Sequence, residues 1–144
     1  LAAKTGENLG SSEWVHLTQD KVNMYAEASG AHQLIHIDEE KAKMTPFGGT
    51  IVHGFMTLSM IPYLGANSAM PKIDGVKMGV NYGGNNTRFI APVRVGKRIR
   101  GHWKLLEMIE KRPGQWQQTA EITIEIEGED KPALSCEWIT QYFV

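Results

Sequence analysis

The sequence predicts an α+β domain in which an antiparallel sheet wraps one buried central helix. Three observations carry that expectation. Helical periodicity is confined to the first half of the chain, period-two alternation dominates the second half, and between them lies a segment, His53 to Leu64, that is apolar on most faces. A helix apolar all round belongs in a core, and helices followed by runs of strands define the α+β class. The 144 residues amount to a single domain, 1–144.

The elements follow in order. Thr18 is placed as a helix N-cap with Asp20 in the first turn, where a negative charge suits the unpaired amides. Val22, Tyr25, Ala26 and Ser29 then share one face of a helix ending near Gly30. Leu34-Ile35-His36-Ile37 is short and apolar, reads as a turn into a strand, and precedes the acidic turn Asp38-Glu39-Glu40. Gly48-Gly49 hinges the entry to the apolar helix. Lys77 to Tyr82 and Thr87 to Ile90 read as two strands. Ile99, Trp103 and Leu105 open a long strand whose phase slips at Leu106, the mark of a bulge. Pro113-Gly114 turns it into a hairpin with the run Ala120, Ile122, Ile124, Ile126. Leu134, Cys136, Trp138, Tyr142 and Val144 supply the last strand.

Composition narrows the functional classes. Fifteen Lys and Arg against sixteen Asp and Glu give a net charge of -1, without the basic excess of a nucleic-acid binder. The single cysteine, Cys136, forms no internal disulfide and no paired-cysteine metal site. The longest apolar run, Phe55 to Leu64, is too short and too interrupted for a membrane span. Leu1-Ala-Ala-Lys does not read as a secretory signal, and the cytoplasm is the expected compartment. No glycine-rich dinucleotide loop is present, and no cofactor is expected.

Three of the five histidines fall between Ser29 and Phe55. One reading makes His32, His36 and His53 metal ligands, but on a strand His32 and His36 sit too far apart to chelate easily. A second makes His32 and His53 hydrogen-bonded residues at the edge of the core. A third places acid–base chemistry beside a helix start: Gly54 lets a carbonyl oxygen approach unpaired first-turn amides, and His36 titrates nearby. His16 and His102 have no such context and read as surface or packing residues.

Two motifs bear on the third reading. The chain reads Ala28-Ser29-Gly30-Ala31-His32-Gln33-Leu34-Ile35-His36-Ile37-Asp38, then Phe47-Gly48-Gly49-Thr50-Ile51-Val52-His53-Gly54. Asn81-Tyr82-Gly83 and Arg88-Phe89-Ile90-Ala91-Pro92-Val93-x-Val95-Gly96 follow. Over about residues 12–144 the chain resembles the MaoC-like hydratases of the hot-dog fold, the (R)-specific enoyl-CoA hydratases, and within them the nodulation-protein-N-like branch. The resemblance implies a homodimer with sheets joined edge to edge. It also implies reversible addition of water to trans-2-enoyl-CoA, giving (R)-3-hydroxyacyl-CoA. In such enzymes an aspartate and a histidine activate the water and a backbone amide holds the thioester oxygen. His36 matches the histidine and Gly54 the amide, but the aspartate falls at position 31, which is Ala31.

With the rest of the motif intact, the expectation is a hydratase silenced by an Asp-to-Ala exchange at that position. The alternative is a natural non-catalytic acyl-CoA-binding dimer. A hot-dog thioesterase is disfavoured, because such enzymes draw a carboxylate from the central helix and His53 to Leu64 has none. For substrate, Gly49 marks close backbone approach, and Phe47, Met56 and Met60 line either an acyl tunnel or plain core. Lys77 and Arg88 meet CoA phosphates or stand as solvated charges, and Asn81 or Asn86 bonds the thioester or pantetheine arm.

Overall fold

A computed structural model describes residues 2–144; Leu1, and with it the start of the Leu1–Lys4 segment, lies outside the described residues. After a 3-10 turn, Ala2–Lys4, come β1 (Asn8–Ser11), β2 (Val15–His16), α1 (Gln19–Ser29), α2 (Leu34–Ile37), α3 (Glu39–Ala42), α4 (Gly54–Ser59) and α5 (Ile61–Ala66). Four long strands follow: β3 (Met78–Phe89), β4 (Arg98–Arg112), β5 (Gln115–Ile126) and β6 (Leu134–Phe143). One antiparallel sheet runs β1-β4-β5-β6-β3, with β2 also on β4. The α4–α5 pair packs against its inner face, as expected for the α+β class.

The inner face is written by alternation. Ala120, Ile122, Ile124 and Ile126 on β5, with Leu134 and Cys136 on β6 and Ile99 and Trp103 on β4, are buried together with Val22, Met56, Ile61 and Leu64 from the helices. The β4–β5 register shifts between Leu105 and Glu107, where the sequence loses phase. Gly114 turns the hairpin with φ 80°. On α1, the Thr18 side chain accepts from the Lys21 amide, and Gly30 in the left-handed region closes the helix.

Four expectations need correction. The central helix is two pieces meeting at Met60. Pro62 has no N–H to continue the helical ladder, so the chain restarts with proline in its first turn. The pair is also not buried all round: Phe55 is 67% and Tyr63 54% exposed. Leu34–Ile37 is a helical turn, not the start of a strand; Asp38 ends it and caps α3 by accepting from the Lys41 amide at 3.0 Å. The two strands expected between Lys77 and Ile90 are one, because β3 absorbs its polar Gly83–Asn86 middle as irregularities against β6. The pairing of Asn8–Ser11 and Val15–His16 with β4 went unread, since segments of four and two residues carry too little periodicity. Among the described residues no helix is long and apolar enough to cross a membrane.

Candidate active site

Three short segments meet beneath the start of α4. Gly30 ends α1, and the chain turns through Ala31 into α2. α2 is held by neighbouring segments: the Ile51 amide donates to the Ile35 carbonyl at 2.8 Å, and Gln19 Nε2 donates to the His36 carbonyl at 2.8 Å. These bonds hold the His36 imidazole against the 51–54 segment. His36 Nδ1 lies 2.8 Å from the Ile51 carbonyl. A carbonyl only accepts, so Nδ1 carries the proton and Nε2 keeps its lone pair. Among the described residues, nothing bonds Nε2.

His53 lies directly behind. It is 5% exposed, its ring stacks on His36 at 3.9 Å, and Tyr25 packs on it at 4.9 Å. Its Nε2 donates to the Ala31 carbonyl at 2.9 Å, while its Nδ1 is buried without a partner. Burial pushes the His36 pKa below its usual value; the Ile51 carbonyl opposes this and the neighbouring His53 adds to it. His36 is therefore a neutral base at neutral pH.

His36 opens onto a cavity of about 270 Å³. Phe47, Gly54 and Thr57 form one side, and Phe89, Ile90 and Pro92 the other. The first backbone bond of α4 runs from the Thr57 amide to the His53 carbonyl, so the Gly54, Phe55 and Met56 amides precede the helical ladder. A Cβ at Gly54 would meet the Phe89 ring at 3.0–3.4 Å, so glycine leaves room for the ring over the helix start. This base and this amide, on one apolar cavity, can take a proton from water and hold an oxygen that gains negative charge.

The other expected residues are distributed as follows. Ala31 is half-buried and touches the site through its carbonyl. Met56, 5% exposed, belongs to the core. Gly49 is buried under Arg94: a Cβ there would fall 2.1 Å from Arg94 Nη2 and 2.7 Å from Glu39 Oε1. Its smallness thus serves an ion pair. Asn81 accepts from Trp138 Nε1 at 3.1 Å and lines a second cavity, of about 560 Å³, at the α5 end of the helix pair. Asn86, at φ 51°, bonds Glu137. Lys77 and Arg88 are exposed at either end of β3. His32 pairs with Glu27 at 3.7 Å, and among the described residues no three His, Cys, Asp or Glu side chains converge as a metal site.

Two networks were missed. Glu39 Oε2 accepts from the Thr50 amide at 3.1 Å and hydroxyl at 2.6 Å, and these bonds hold its carboxyl below the usual range. Arg94 adds Nη1–H to the Phe47 carbonyl at 3.2 Å, so Glu39 and Arg94 together clamp the glycine loop over the cavity. Arg94 is the unspecified x between Val93 and Val95, and a lone charge in an apolar run was its one signal. His102, expected to be without context, instead lies 2.6 Å from Ser11 Oγ and 2.7 Å from Glu125, which also accepts from Arg100. Only the strand pairing brings these residues together.

An antiparallel sheet wrapped on a central helix pair is the architecture of a hot-dog protein, and here it places a histidine and a first-turn amide on one apolar cavity. The MaoC-like domain model matches residues 1–127, and the chain belongs to that family. It is 47% identical over 142 residues to 3-hydroxyacyl-thioester dehydratase Z of Mycobacterium tuberculosis (strain H37Rv), covering 99% of this chain and 93% of that protein. It is 43% identical to Nodulation protein N of Rhizobium leguminosarum bv. viciae, covering 97% and 87%. Among solved structures, an (R)-hydratase from A. caviae involved in PHA biosynthesis superposes with a TM-score of 0.76 at 22% identity, covering 94% of each chain. That last likeness concerns the fold.

Proposed function

We propose that the chain is an (R)-specific enoyl-CoA hydratase in which Ala31 depresses the rate. The observation that carries this reading is the His36 Nε2 lone pair, fixed by the Ile51 carbonyl and opening on the same cavity as Gly54. Water bound there gives a proton to Nε2 as its oxygen bonds to C3 of a trans-2-enoyl thioester. Electron density shifts to the thioester oxygen, which the Gly54 amide receives. Return of that proton from His36 Nε2 to C2 completes the addition and restores the neutral imidazole, and the reverse sequence is dehydration. A carboxylate at position 31 would share the water and the proton return; a methyl group does neither. The 3-hydroxyacyl-thioester dehydratase name of the 47% identical relative supports the reaction class.

Phe47 and Phe89 on the cavity wall suit an acyl chain, and exposed Lys77 and Arg88 suit CoA phosphates. The working unit in this reading is a homodimer. Among the described residues β3 pairs only β6, leaving a twelve-residue edge that shows Met78, Val80, Tyr82 and Phe89, and a second copy would cover it.

Ala31 also favours a second reading, a non-catalytic acyl-CoA-binding dimer. One experiment separates the two. Ala31→Asp, assayed by loss of the enoyl absorbance of crotonyl-CoA, should hydrate about 10²–10⁴-fold faster than the unaltered chain. If the variant stays as slow while still binding crotonyl-CoA, the hydratase reading is wrong and the binding reading stands.

A further inference from the structure

His53 does more than fill the core behind His36. Its ring makes two contacts with the site at once: it stacks on the His36 imidazole at 3.9 Å, and its Nε2–H donates to the Ala31 carbonyl at 2.9 Å. The carbonyl requires a proton on Nε2, and Nδ1 is left buried without a partner among the described residues. An unmet buried polar atom is a costly way to make a packing contact, and a phenyl ring would stack on His36 without that cost. What the imidazole adds over a phenyl ring is the Nε2–H, and that donor goes to position 31. The backbone there has little else to hold it. It follows the left-handed Gly30, and its amide makes a long 3.3 Å bond to Ser29 Oγ.

We propose that His53 is a positioning residue that sets the distance between position 31 and His36, clamping the carbonyl of the first while stacking on the ring of the second. The clamp itself rests on geometry alone; its kinetic meaning rests on the hydratase reading above. If position 31 carries one half of the water-activating pair and His36 the other, a turn of the 30–33 backbone separates them without disturbing either side chain.

Two measurements keep these claims apart. In the unaltered chain, the Ala31 carbonyl carbon reads the clamp by NMR. His53→Phe keeps a stacked ring and removes the donor, so the Ala31 carbonyl resonance should shift to a non-bonded position. His53→Gln, with an N–H within reach, should restore most of the shift. In the Ala31→Asp background, His53→Phe should lower kcat about tenfold, the rate equivalent of one hydrogen bond, with KM within about twofold. His53→Gln should recover most of kcat, which a loss of packing alone would not allow.

An unmoved Ala31 carbonyl in His53→Phe, or an undiminished kcat, overturns the proposal. Should His53→Phe not fold, the unaltered protein decides: His53 Nε2 must carry a proton coupled through the hydrogen bond to the Ala31 carbonyl carbon, and its absence refutes the clamp. If Ala31→Asp gains no activity, the hydratase reading falls while the carbonyl resonance still judges His53.

Discussion

Gly49→Ala tests the clamp that holds the glycine loop over the cavity. The new Cβ would lie 2.1 Å from Arg94 Nη2, 2.7 Å from its Cζ and 2.7 Å from Glu39 Oε1, so the guanidinium has to leave. Its departure breaks the Nη1–H bond to the Phe47 carbonyl, a charged hydrogen bond of about 1.5–3 kcal/mol. It also separates the 3.9 Å pair with Glu39, whose half-exposed partners contribute about 0–1 kcal/mol. Gly49 is not among the residues at positive φ, so alanine suits the backbone and returns about 0.4–1 kcal/mol through the unfolded state. The net is a loss of about 2 kcal/mol, or roughly 6 °C in Tm for a domain of this size. Urea and thermal unfolding of Gly49→Ala, Arg94→Ala and the double variant form the assay. Once Arg94 is gone the added methyl still meets Glu39 Oε1 at 2.7 Å, but that is the far end of a flexible side chain, so Gly49→Ala should cost well under half of what it costs beside Arg94. An equal loss in both backgrounds would refute the assignment of Gly49 to the ion pair.

Gly54→Ala should behave differently. The atoms nearest its Cβ belong to the Phe89 ring, at 3.0–3.4 Å, and Phe89 is half exposed and held edge-on to Phe55; stability should stay within about 1 kcal/mol, while thioester turnover in the Ala31→Asp background falls because the ring is displaced across the cavity. In the unaltered chain an NMR titration of His36 should have its midpoint below pH 6.5, because burial lowers its pKa. The same shift has a sign for stability: unfolded histidine binds protons more readily than buried His36, so this contribution is complete above about pH 6.5 and is lost as pH falls through the lowered value. Cys136 is buried, with its thiol pushed up to about 11; a disulfide reagent at pH 8 should modify it at the rate of unfolding, and immediate reaction would contradict its placement on the inner face.

How much of this was readable along the chain depended on whether the cause was local. Alternation on β5, the Leu106 phase slip and the Thr18–Gly30 caps are effects of neighbouring residues, and each appears in the structure as read. His36 was singled out for the same reason, through its motif. Its tautomer was not readable, because the Ile51 carbonyl that fixes it lies fifteen residues away. Gly49 shows the same limit from the other side. Its smallness was legible and was assigned to a thioester, but the group that needs the space is Arg94, forty-five residues on. The break at Met60 was within reach, since Pro62 was visible; the apolar count outweighed it.

β3 is the element for which periodicity was least informative. Met78, Val80 and Tyr82 alternate and then yield to Gly83-Gly84-Asn85-Asn86, which divides the strand in any reading based on hydrophobicity. The structure shows a continuous strand with both faces largely exposed. Alternation reports a core on one side and solvent on the other, and in an isolated protomer β3 has neither arrangement. Its small central residues suit close approach of another backbone, and its exposed apolar side chains sit toward the two ends. If the proposed second copy covers that edge, the strand's pattern was selected against a surface that this chain does not itself contain. Charged substitution at Val80 or Tyr82 should then convert the protein to a monomer in sedimentation without lowering protomer stability, because neither side chain is buried in the protomer core. A dimer unaffected by both substitutions would place the interface elsewhere and leave β3 unexplained.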